Sequence, residues 1–122
     1  MKQNIFLFML LILGLFSCKY EVTGQNKIKD IAAQFKKDSG ILVDVRTIEE
    51  WNEGHHPKAI LSDWDGGVFK VQSMKWDKSK AYYLHCAAGG RSGQASEYLK
   101  SKGFKKVYNL GGYDDVMKLK LE

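Results

Sequence analysis

Ala81-Tyr82-Tyr83-Leu84-His85-Cys86-Ala87-Ala88-Gly89-Gly90-Arg91-Ser92 is the stretch on which the fold turns. Its first five residues form an apolar, aromatic-rich run of strand character. From Ser92 to Lys102 the residues Ala95, Tyr98 and Leu99 recur at helical spacing until Gly103 ends the pattern. The link between them lies at the C-terminal edge of a strand, where parallel α/β sheets place their ligands. Small residues at Ala87, Ala88, Gly89 and Gly90 let the backbone curl so that successive N–H groups point inwards. The following helix adds its unpaired N–H groups and the positive end of its dipole. The loop from Ala87 to Ser92 therefore reads as an anion cradle. Cys86, held in that cradle with Arg91 nearby, reads as an activated nucleophile, because thiolates at helix N-termini or beside cations have pKa values of about 3.5–7.5 against about 8.5 for a free thiol.

The same alternation continues on either side. Ile28, Ile31, Ala32 and Phe35 form one apolar stripe between Lys27, Lys29, Lys36 and Lys37, predicting an amphipathic helix that Gly40 ends. Ile41-Leu42-Val43-Asp44-Val45 is a short β-branched run, the pattern of a strand covered on both faces. Thr47 and Glu50 have the spacing of a capping box, so Thr47–Glu53 predicts a short helix stopped by Gly54. Ala59-Ile60-Leu61 is a further strand. After the break at Gly66-Gly67, Val68, Val71, Met74 and Lys75 allow a helix, with Trp64 and Trp76 packing in the core or on its rim. Lys106–Leu110 is a last strand, followed by a Gly111-Gly112 turn and a helix carrying Val116, Met117 and Leu119. Strands and helices in alternation with short links predict an α/β fold, a small, mostly parallel sheet flanked by helices on both faces.

A chain of 122 residues holds one such domain and is too short for two. Its hydrophobic share of 44% and charged share of 27% are those of a globular protein. The net charge of +5 is spread along the chain and suggests mild attraction to anions or anionic lipid, not a nucleic-acid groove.

Lys2 followed by the apolar run Ile5–Phe16 and the small residue Ser17 is the pattern of a secretory signal, and the run is shorter than the roughly 20 residues that a membrane-spanning helix needs. Leu15-Phe16-Ser17-Cys18 resembles the lipobox of bacterial lipoproteins, in which the cysteine is lipidated and becomes the mature N-terminus. That resemblance implies a signal peptide at 1–17, a lipid anchor on Cys18, a polar tether at 18–25 and a folded domain at 26–122. It also implies a cell-envelope, periplasm-facing location, with Lys19 after the anchor leaning towards the outer membrane. Cys86 would then be the remaining thiol, with no internal disulfide to form, and in an oxidising compartment such a thiol is either buried and inert or kept for chemistry.

Cys86 and Arg91 flank four residues at the end of a strand, a spacing that resembles the signature loop of rhodanese-homology domains. Val43-Asp44-Val45-Arg46, Glu49-Glu50-Trp51 and Gly54-His55-His56-Pro57-Lys58-Ala59-Ile60 resemble that family's early motifs, and Val107-Tyr108-Asn109-Leu110 with Gly111-Gly112 resembles its last strand, so the likeness covers about residues 41–117. It implies a sulfurtransferase of the thiosulfate:cyanide type. Cys86 would take sulfane sulfur from a small sulfur-containing anion or a protein persulfide, and a thiol or cyanide would remove it, with no cofactor and no metal. Phosphatases of related architecture place five residues between Cys and Arg. Ala87 stands where thiosulfate-using members often carry a basic residue, so polysulfide or a protein persulfide is expected to serve better than thiosulfate, and Lys58 replaces the family's usual Gly. The alternative is a non-catalytic redox-sensing or partner-binding module. Asp44 and Arg46 are expected to pair with each other or with backbone behind the site. His85 should point to the opposite sheet face from Cys86. His55 and His56 are adjacent and would chelate one ion poorly. The domain is expected to be a monomer that binds no nucleic acid.

Overall fold

Alternating strands and helices place four parallel strands side by side in the computed structural model, which describes residues 24–122. The segment read as a signal peptide and the anchor at Cys18 lie outside the described residues. The elements are α1 (Gly24–Asp38), β1 (Ile41–Asp44), α2 (Ile48–Glu53), β2 (Ala59–Leu61), α3 (Val68–Ser73), β3 (Ala81–Cys86), α4 (Gly90–Ser101), β4 (Lys106–Gly112) and α5 (Tyr113–Met117). The strand order is β2-β1-β3-β4, and every pairing is parallel. All four strands thus end at one edge of the sheet.

Every residue of β3 is buried, because helices cover both faces. The strand's period of two divides its side chains between two cores. Tyr82, Leu84 and Cys86 pack with Val43, Val45, Phe69, Ala95 and Leu99 against α3 and α4. Ala81 and Tyr83 pack with Leu42, Phe35, Val116 and Leu119 against α1 and α5. Burial of each large side chain contributes about 1.5–3 kcal/mol. In α4 the buried residues Ser92, Ala95, Ser96 and Leu99 fall at i, i+3, i+4 and i+7, which turns one stripe to the sheet.

The helix ends follow backbone chemistry. Thr47 and Glu50 form the expected capping box on α2. Gly103 takes a left-handed φ of 94° after α4, with its neighbour Phe104 donating back to the Leu99 carbonyl at 3.1 Å. At the end of α1 the roles are divided differently from expectation. Ser39 takes the left-handed turn (φ 50°), and Gly40 donates to the Phe35 carbonyl at 2.9 Å. Gly40 is needed for space, since a Cβ there would stand 2.6 Å from Phe35 Cδ2 and 2.7 Å from Tyr83 Cε2.

Helix α1 begins at Gly24, so the last two residues of the segment read as tether are helical. Two expectations are corrected. Helix α3 forms, but Val71 is 66% exposed and Met74 79% exposed, while Phe69 and Ser73 face inwards. Phe69 wins because Trp64 and Trp76 stand edge-on to its ring at 5.5 and 5.3 Å. Gly111 and Gly112 continue β4 instead of forming a turn, through a register shift opposite Leu84 and His85.

Candidate active site

Cys86 ends β3 at the C-terminal edge of the sheet, and the chain turns at once over its sulfur. Gly89 adopts a left-handed φ of 102°, open to glycine without strain, and its N–H donates to Cys86 Sγ at 3.0 Å. A Cβ on Gly89 would also stand 3.2 Å from the Gly111 Cα, so the loop and β4 meet through bare backbone. Ala88 pairs with Gly112 in an isolated antiparallel bridge, and Tyr113 N–H donates to the Ala87 carbonyl at 3.2 Å. The continuation of β4 past Asn109 is thus what holds the outer side of the loop.

Burial by itself pushes the Cys86 thiol up. Hydrogen bonds from the Ser92 hydroxyl and from the backbone N–H groups of Ser92, Ala88 and Gly89 outweigh it and hold the thiol below its ordinary value. Of the amides from Ala87 to Ser92, those of Ala88, Gly89 and Ser92 reach the sulfur, while Ala87 and Ala88 themselves are exposed. Cys86 as a residue is only 1% exposed. The small loop closes over the sulfur.

Arg91 lies near enough to Cys86 for their charges to interact, and it also pairs with a carboxylate. Its guanidinium forms a two-pronged pair with Glu50 at 2.6 and 3.0 Å and lies 3.7 Å from Asp65. The planar fork matches a carboxylate, so the charge expected to support the thiolate is answered by Glu50 first. The pair raises Arg91 and holds Glu50 down at about 2, with the Thr47 hydrogen bonds adding to the effect on Glu50.

Asp44 and Arg46 pair as expected. Arg46 Nε lies 2.9 Å from Asp44 Oδ1, and Nη2 lies 2.7 Å from Oδ2 and 2.8 Å from the Gly54 carbonyl. The guanidinium carbon sits 4.1 Å from the centre of the Tyr113 ring. This buried pair fixes the chain leaving β1 and the turn after α2, behind the loop. His85 points away from Cys86 into the other face, also as expected, fully buried and with neither ring nitrogen hydrogen-bonded. His55 stacks on Trp51 with centroids 3.6 Å apart, and buried His56 bonds the Leu119 carbonyl at 2.9 Å. Both histidines are engaged in packing.

Sequence reasoning missed Asn109 as part of this site. Its Nδ2 donates to the Gly89 carbonyl at 3.1 Å, and its Oδ1 accepts from Gly111 N–H at 3.0 Å and from the Ser92 hydroxyl at 2.7 Å. Ser92 Oγ is also 3.4 Å from Cys86 Sγ, so its one proton serves either Asn109 or the sulfur. A lone polar residue in an apolar strand was the available signal. Glu50 was read as a cap and as part of an early motif, and nothing local announces a partner 41 positions away.

A sheet of this topology with a cysteine loop at its edge is found in known proteins. The family model described as Rhodanese-like domain matches residues 27–119. Thiosulfate sulfurtransferase PspE of Escherichia coli (strain K12) is 32% identical over 74 residues, which is 61% of this chain and 71% of that protein. The tRNA uridine(34) hydroxylase of Hamiltonella defensa subsp. Acyrthosiphon pisum (strain 5AT) is 35% identical over 97 residues, 74% of this chain but 27% of its own length. The chain thus spans about a quarter of the hydroxylase relatives it matches. Among solved structures, a rhodanese with anions from E. coli superposes with a TM-score of 0.57 at 30% identity, covering 66% of this chain and 94% of that one. With the matched model spanning the whole of the sheet and the cysteine loop, the chain belongs to the rhodanese-like domain family.

Proposed function

We propose that this domain is a sulfurtransferase that moves sulfane sulfur through a persulfide on Cys86. With thiosulfate as donor, the Cys86 thiolate attacks the outer sulfur. A Cys–S–S bond forms as the donor's S–S bond breaks, and sulfite leaves with the bonding electrons. Cyanide or a thiolate then attacks the outer sulfur of the persulfide, and the Cys86 thiolate leaves in its original state, so the cycle needs no outside oxidant. The observation that carries this reading is the Gly89 N–H directed at Cys86 Sγ at 3.0 Å under a loop of small residues. Amides preorganised around a sulfur stabilise both the thiolate and the anionic persulfide without reorganising during the reaction.

The test is intact-mass measurement after incubation with thiosulfate or polysulfide. A gain of one sulfur, absent in Cys86→Ser, is the expected result, together with thiocyanate formation when cyanide is added. A redox-sensing module is the second reading, kept open by Ala87 and Ala88, which place no cation beside the sulfur. It predicts a sulfenic acid or mixed disulfide on Cys86 with no sulfur gain.

We further propose that a lipid on Cys18 tethers the domain to a bacterial envelope membrane, facing the periplasm. The sequence Leu15-Phe16-Ser17-Cys18 supports this. Labelled palmitate is expected to enter the wild-type protein and to be lost in Cys18→Ala; unchanged labelling would overturn the anchor.

A further inference from the structure

The two ends of the sheet carry opposite charge. At the C-terminal ends of the strands, the loops and the first turns that follow them hold Glu49, Glu50, Asp63, Asp65, Asp114 and Asp115. The arginines at that end, Arg46 and Arg91, are each already bound to a carboxylate, Asp44 at 2.7 Å and Glu50 at 2.6 Å, and Lys118 lies 3.8 Å from Asp115. Lys70, in α3, turns its ammonium over the Trp64 and Tyr98 rings at 5.1 and 5.4 Å. At the opposite ends of the strands, the connecting segments carry Lys58, Lys75, Lys78, Lys80, Lys102 and Lys105 against Asp77. Two open clefts lie at that basic end, one lined by Lys36 and Lys58, the other by Lys78 and Lys102. In a chain with a net charge of +5, carboxylates thus outnumber cations on the rim of the sheet where Cys86 lies.

Arg91 decides the sign of that rim. A free arginine next to the thiol would attract dianions, but Glu50 takes both prongs of the guanidinium, and Asp65 approaches the same nitrogen from the solvent side at 3.7 Å. Ala87, Ala88 and Gly90, the exposed residues of the loop, add no charge. An anionic donor nearing Cys86 thus meets net negative charge outside a favourable row of amides, whereas a neutral or cationic donor meets only the amides.

We propose that the Glu50–Arg91–Asp65 cluster is a charge filter, and that the sulfur donor of this site is a neutral or cationic persulfide or polysulfane, with free thiosulfate disfavoured. This rests on Cys86 being the nucleophile, and deepens that reading by naming the class of donor.

The experiment uses the folded protein and two thiol reagents of one size class and opposite charge, aminoethyl and sulfonatoethyl methanethiosulfonate. In each case the Cys86 thiolate forms a disulfide with the reagent's sulfenyl sulfur, and methanesulfinate leaves, so no sulfurtransferase activity is needed. Rates are normalised to those of mercaptoethanol. The cationic reagent is expected to label wild-type Cys86 about tenfold faster than the anionic one at low ionic strength, and the ratio is expected to fall towards one in 1 M salt. Asp65→Asn, at an exposed position, should lower the ratio about threefold and raise kcat/KM for thiosulfate. Lys106→Gln, at the opposite end of the sheet, should leave the ratio in place. A normalised wild-type ratio at or below one, or equal effects of Asp65→Asn and Lys106→Gln, overturns the filter while leaving the nucleophile standing. Failure of both reagents to label Cys86 overturns the two together.

Discussion

His85 and Cys86 are neighbours on one strand, both buried, and the sheet turns them to opposite faces with opposite consequences. Burial penalises the charged form of either group, which pushes a thiol up and an imidazole down. On the Cys86 side, the Ser92 hydroxyl and the amides of Ser92, Ala88 and Gly89 reverse that push. On the His85 side neither ring nitrogen has a well-formed hydrogen bond, and the pulls of Asp44 and the Cys86 backbone are too weak to offset burial. Asp44 Oδ2 stands 3.8 Å from Nε2, beyond hydrogen-bonding distance, so burial prevails and the ring is held neutral below its ordinary value. Position in the core does not decide whether a buried group can be charged. The supply of correctly aimed partners does.

The comparison can be broken or sharpened at several points. The largest effect is expected from Cys86→Ser, which should reduce sulfur uptake and thiocyanate formation to background, read by mass and by colorimetric assay. Next comes Asp44→Ala, which strands the Arg46 charge behind the loop. It should cost about 3–5 kcal/mol of stability, measured by the urea midpoint. Ser92→Ala removes one donor to the sulfur and should slow iodoacetamide alkylation of Cys86 at neutral pH about tenfold, as hydrogen bonds to charged groups are worth about 1.5–3 kcal/mol. The rate should recover at alkaline pH, where the thiolate forms without help.

The smaller effects concern pH. Because the folded protein holds His85 below its unfolded value, the unfolded chain binds the extra proton as pH falls through about 6.5, and stability declines there. His85→Leu should flatten the difference in urea midpoint between pH 7.5 and 5.5. Glu50 has the opposite arrangement for a carboxylate. Its folded value near 2 lies below its unfolded value, so its contribution is complete above about 4.5 and is lost as pH falls towards 2. Arg91→Ala should lower the neutral-pH midpoint modestly and flatten most of that low-pH slope, so that variant and wild type converge towards pH 2.

The order of strands and helices was legible because each carries its own punctuation: the capping box at Thr47 and Glu50, Gly103 after α4, the β-branched run of β1. The cysteine loop was legible for the same reason, being contiguous. What escaped were relations across the chain. Val68, Val71 and Met74 have helical spacing as good as that of Phe69 and Ser73, and only the aromatic rings of Trp64 and Trp76 around Phe69 decide which stripe turns inwards. The partners of Arg91 and the ties from Asn109 to the loop come from elements far apart in sequence, joined by the sheet. The Gly111-Gly112 pair looked like a turn because strand pairing, not local propensity, keeps it extended.

The seating of Gly40 against Phe35 and Tyr83 has a mechanical consequence. A force applied ahead of Gly24 runs down α1 and is resisted where that helix meets the sheet, on the face opposite Cys86. Such a load would peel α1 from Leu42 and Tyr83 before it strained the sulfur's own surroundings, so the domain can be pulled or fused at that end with its reactive edge last to feel it.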